Sequence, residues 1–150
     1  MAAYNAVVRC LVLSLIALTV ALPGWAQERI TCMAPTGWSY FFSGSLEVEQ
    51  DGISGGTVSL VQDGAGRWDI VYSTTSNQFT ARGDGAKVEA LVHEVVPGSV
   101  ILVVSYPLGT AETYHLYRRA DGKHELVITS AKPAVAAPAR SSMFASKCTG

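Results

Sequence analysis

Between residues 51 and 122 the chain turns on glycine at short intervals, and the stretches between the turns alternate apolar with polar residues. Asp51-Gly52, Gly55-Gly56, Asp63-Gly64-Ala65-Gly66, Gly83-Asp84-Gly85, Pro97-Gly98, Pro107-Leu108-Gly109 and Ala120-Asp121-Gly122 are the punctuation. A period of two bounded by turn residues is the pattern of strands, not of amphipathic helices. Arg67 to Tyr72 shows it well: Trp68, Ile70 and Tyr72 share one face, and Arg67 and Asp69 share the other. With Thr57 to Gln62 across the Asp63–Gly66 turn it predicts a hairpin. A second hairpin is predicted from Thr110–Arg118 and Lys123–Thr129 about Asp121-Gly122.

Arg29–Met33, Trp38–Phe42, Leu46–Gln50, Phe79–Arg82, Lys87–Val96 and Val100–Tyr106 read as further strands, with Ser142–Lys147 closing the series. Pro133 and Pro138 argue against a helix in the Ala/Pro-rich segment 132–142. Val100–Tyr106 is apolar on both faces, which predicts that the Ala/Pro segment folds across its outer side or that it forms a partner surface. The expected fold is an all-β domain, a single antiparallel meander closed as a small β-barrel; a β-sandwich is the alternative.

The beginning of the chain reads as an export address. One positive charge at Arg9 precedes an apolar run, Cys10–Leu22, interrupted only by Ser14 and Thr19. Pro23 breaks the run, and Gly24-Trp25-Ala26 places small residues where a signal peptidase needs them. Residues 1–26 are therefore expected to be a cleaved signal peptide, and 27–150 a single β-rich domain, periplasmic or extracellular in a bacterium. No stretch is long enough for a stable membrane anchor after cleavage.

Cys10 leaves with the signal. Cys32 and Cys148 remain near the two ends of the mature chain, and an oxidising compartment predicts that they form one disulfide joining the terminal segments. A formal charge of −1 over 150 residues, with no basic cluster, argues against nucleic acid as a partner.

Several short matches to chemical motifs have plainer readings. Gly52-Ile53-Ser54-Gly55-Gly56 spells a nucleophile elbow, but that device needs a strand–turn–helix and here a strand follows, so a glycine-rich turn is expected. His93, His115 and His124 sit in separate strands without a set of metal ligands. Arg82-Gly83-Asp84 spells an adhesion tripeptide in a segment that glycine would turn anyway. No phosphate loop, dinucleotide fingerprint or calcium loop is present, and no cofactor or metal is expected.

Gly66-Arg67-Trp68 resembles the short G-x-W signature of lipocalin-like barrels, although there the triplet lies near the start of the domain and here on the second arm of a hairpin. Small size, a terminal disulfide and a β-only pattern also resemble secreted inhibitor barrels such as bacterial C-type lysozyme inhibitors, without their Ser-x-Gly-x-x-Tyr stretch. The resulting expectation is an exported, non-enzymatic binding protein for another protein or a small apolar ligand. Its aromatic faces, Trp38/Tyr40/Phe42 and Trp68/Ile70/Tyr72, are the candidate lining. An envelope inhibitor or accessory protein using the loops 73–78 and 82–86 is the alternative, and a serine hydrolase built on Ser54 the remotest one.

Overall fold

The structure, a computed structural model, describes residues 28–42, 46–53, 55–93, 97–135 and 138–149. The expected signal segment 1–26 and Ser54 lie outside the described residues. Eleven strands and no helix are found among the described residues, all strand pairs being antiparallel in one sheet. Both expected hairpins are present. Thr57–Gln62 (β4) pairs with Trp68–Ser73 (β5), and Ala111–Arg118 (β9) pairs with His124–Lys132 (β10).

The long last strand, Arg140–Thr149 (β11), organises the sheet. One of its edges pairs with β10 along nine residue pairs. The other edge is shared. Its end pairs with Glu28–Met33 (β1) through Thr31–Thr149 and Cys32–Cys148, while its start pairs with Thr36–Phe42 (β2).

Between β1 and β2 the chain bends at Ala34, whose φ of 42° lies in the left-handed region. The Ser146 hydroxyl donates to the Met33 carbonyl at 2.7 Å and fastens the bend to β11. β2 then approaches β11 so closely that a Cβ on Gly37 would lie 1.9 Å from the Met143 carbonyl oxygen, so this position admits only glycine.

From the bend the sheet forks. β2 continues into Leu46–Gly52 (β3), whereas β1 pairs on its far side with β4 and so leads to β5 and Gln78–Thr80 (β6). On the other flank, β10 leads through β9 and Val100–Ser105 (β8) to Lys87–His93 (β7). The core lies inside this curl, where Leu60, Ile70, Leu102, Leu116 and Leu126 are fully buried.

The expected closure is only partly realised. β7 and β5 are brought together without a ladder, and the domain is a curled half-barrel, not a sealed barrel. The remaining gap is bridged by Arg82. Its Nε donates to the Trp68 carbonyl of β5 and its Nη2 to the Val88 carbonyl of β7, each at 2.9 Å, while its backbone N–H donates to Asp69. One planar cation thus takes the place of ladder hydrogen bonds between two strands. The adhesion-like tripeptide has its arginine engaged in this bridge.

The segment after β10 is a hairpin connection, with Pro133 against the turn at Gly109. Ile101 and Val103, on the outer side of β8, stay partly exposed.

The Cys32–Cys148 disulfide forms as expected, its cysteines 116 positions apart in sequence, at a directly opposed pair of β1 and β11. In the chain-entropy picture a loop of that length stabilises the fold by roughly 4–5 kcal/mol, less any native strain. Replacing both cysteines by alanine should therefore lower the unfolding free energy by about 3–5 kcal/mol in urea titrations. Arg82→Met should cost roughly 1–3 kcal/mol, because charge-assisted hydrogen bonds are lost at a partly exposed site. In hydrogen exchange its effect should concentrate in β5 and β7 and spare the β9–β10 hairpin.

Candidate functional site

The inner face of the half-barrel changes character along its length. On β10 the inward series runs Leu126, Ile128, Ser130, Lys132; on β11 the paired positions run Phe144, Ser142, Arg140. Ile128 opposes Phe144, Ser130 opposes Ser142, and Lys132 opposes Arg140. The tiers extend sideways. Leu102 and Tyr114 continue the apolar tier, and Glu112 and Ser39 continue the serine tier. Ser39, Ser142 and Ser130 are 0%, 6% and 9% exposed, so these small hydroxyls sit where bulky side chains would otherwise fill the core.

The consequence is a pocket of about 600 Å³ at the forked end of the sheet. That volume falls within the range of small-molecule sites, roughly 300–1,000 Å³. Its floor is Tyr114, Ile128 and Phe144, and its walls are Ile53, Tyr72, Phe79, Tyr106 and Leu108. Polar groups gather on one side: Asp51, Glu112, Ser130, Lys132 and Arg140, with Asp84 across the opening.

Two carboxyl groups in the pocket are treated in opposite ways. Glu112 is pushed above the usual carboxyl range by burial, against the weaker pull of Lys132, the Tyr106 hydroxyl and Arg140. The hydroxyls of Tyr72 and Tyr114 converge on its Oε2 and also meet each other. Burial likewise raises Tyr114, and burial together with the charges of Glu112 and Asp84 raises Tyr106, so these phenols stay protonated as donors.

Asp51 is held below the usual range. The chief cause is the Ser39 hydroxyl, donating at 2.6 Å; the Gly52 N–H, Arg140 and Lys132 add to it against a burial penalty. Ser39 also meets Ser142 at 2.7 Å, and the Arg140 guanidinium lies 3.5 Å from the Asp51 carboxylate. Among the described residues Lys132 closes no ion pair within 4 Å.

The candidate residues read from the sequence are dispersed. Tyr72 lines the pocket, Ile70 is buried in the core beneath it, and Trp68 packs partly buried against that core. Trp38 and Phe42 are 55% and 53% exposed, on the outer face of β2. Tyr40 packs edge-to-face against Phe42, and Trp38 stands opposite Met143, itself 58% exposed. The alternation of β2 is real, but its inward phase starts small, with Gly37 and Ser39, and only then reaches Phe41.

Histidines 115 and 124 fall on opposite faces of their hairpin, since His115 opposes the outward Val127 and His124 shares the phase of buried Leu126. No cluster of metal-ligating side chains occurs among the described residues. The sequence reading missed Glu112, Tyr114, Ser130, Lys132 and Arg140. Their signal was a core-facing series that turns from apolar to serine to cation at the same end of two adjacent strands.

Compared with known proteins, the chain matches no family model, no curated protein and no solved structure.

The two carboxyls should leave opposite marks on stability. A carboxyl whose pKa is raised by folding holds its proton more tightly in the folded state. Its favourable contribution is complete below the unfolded value of 4.5 and is lost as pH rises through the folded value. Glu112→Gln should therefore be more stable than the parent at neutral pH, with the gain fading towards pH 4. Asp51, lowered by folding, contributes above its unfolded value of 3.8 and loses that contribution as pH falls through the folded value. Asp51→Asn should be less stable at neutral pH, with the loss fading in acid. Urea midpoints measured from pH 3 to 8 check both signs.

Proposed function

We propose that this chain is an exported, non-enzymatic protein that binds a small amphipathic ligand in the mouth of the half-barrel. The observation that carries the reading is the pocket itself: a concavity of about 600 Å³ with an apolar aromatic floor and one polar side. Sites of this composition take their affinity from buried apolar surface and their orientation from a few placed polar groups. Glu112 is held by hydroxyls from its own strand and from β5 across the interior, and Asp51 by a hydroxyl of the neighbouring β2, an arrangement suited to shaping a cavity. The disulfide is consistent with an oxidising compartment, and no helix among the described residues is long and apolar enough to cross a membrane. Both fit the reading of residues 1–26 as an export signal.

A neutral apolar fluorophore, N-phenyl-1-naphthylamine, tests the pocket. The parent protein should bind it saturably at one site. Ser130→Leu, which fills the polar tier, should abolish binding while keeping the sheet signature in circular dichroism. Trp38→Ser, on the outer aromatic face, should leave binding unchanged. Loss of binding in Trp38→Ser with retention in Ser130→Leu would move the site to the outer face and overturn the proposal.

A further inference from the structure

We propose that the ligand carries a single anionic head group on an apolar body, the head seated between Lys132 and Arg140. This rests on the reading of the pocket as a ligand site and names the class of molecule it takes. Lys132 and Arg140 are directly opposed residues of β10 and β11, both on the inner face and both lining the pocket. Side chains so opposed start about 5 Å apart, a spacing that one carboxylate-sized anion bridges. Arg140 is steadied by Asp51, whose negative charge is already met by Ser39, the Gly52 N–H and that arginine. Lys132, by contrast, lines the cavity with no ion-pair partner within 4 Å among the described residues.

The other acids do not oppose an anion there. Glu112 lies one tier further in, opposite Ser130, with its Oε2 taken by the Tyr72 and Tyr114 hydroxyls, and burial raises its pKa. Asp84 stands in an exposed turn across the opening from the two cations. Below the cations lie Ile128 and Phe144, so an anion held at the rim directs an apolar body onto the floor. A cationic ligand would meet Lys132 and Arg140 first. A neutral apolar ligand would gain nothing from either cation.

Calorimetric titration with three ligands of equal chain length, each below its micellar concentration, separates the possibilities: decanoate, decanol and decyltrimethylammonium. Decanoate should bind at least tenfold more tightly than either of the others. Lys132→Met keeps the aliphatic stem and removes the charge. It should weaken decanoate by about 10- to 100-fold, as expected for loss of a hydrogen bond between charged groups, and leave decanol unchanged. Equal binding of decanol and decanoate, with no effect of Lys132→Met, would overturn the anionic assignment while leaving the pocket as a ligand site. Tighter binding of decyltrimethylammonium would overturn it in favour of a cation. If none of the three ligands binds and the neutral fluorophore fails as well, the pocket reading itself falls.

Discussion

Everything in this half-barrel depends on one edge of β11 being shared by two consecutive strands. β1 takes the end of that edge and β2 takes its start, with the bend at Ala34 between them. Had β1 continued straight along β11, the sheet would have wrapped without a break. Because it bends, two arms diverge from the same strand, one through β4 and β5, the other through β3. The cavity opens where they part, and residues from both arms, Ile53 after β3 and Tyr72 in β5, line it. The disulfide fixes the first arm to β11, and the close approach at Gly37 fixes the second.

Partial closure and cavity belong together. A sealed ladder from β5 to β7 would tie the wall carrying Tyr72 and Phe79 rigidly to the rest. Instead a single arginine spans the seam, and two exposed turns border it. An arginine suits that position because its planar donors reach two carbonyls on different strands at once, which an ammonium on a flexible stem does with less directional control. The β9–β10–β11 side, which carries the polar tier, is laddered throughout, whereas β5 and β7 meet without a ladder.

Much of this was legible in the sequence. The all-β class, the hairpins at Asp63–Gly66 and Asp121–Gly122, the pairing of the first and last strands and the cysteine bridge follow from alternation, turn chemistry and cysteine count. The fork was not legible, because β1 and β2 read as two ordinary strands and nothing local says that they share a neighbour. At β2 the face carrying Trp38 and Phe42 is the outer one. Trp38 and Phe42 look like an inward face by hydrophobicity, yet the tight β2–β11 approach requires glycine at 37 and a small hydroxyl at 39, which turns the large phase outward. The pocket signal lay in the inward phases of β10 and β11, where serine and then a cation replace aliphatic residues in register. It becomes visible only when the two strands are aligned as a pair.

The position of β11 also sets an order of events. β1 and β2 precede the other nine described strands in synthesis, yet β11, with which both pair, is the last of the eleven. Until it arrives, the β2–β3 hairpin has only itself to pair with, and isolated hairpins are marginal in water. Native contacts between segments so far apart in sequence make for slow assembly with strand edges exposed in the interim. A chain wired in this way completes its fold only once its final strand is available to pair.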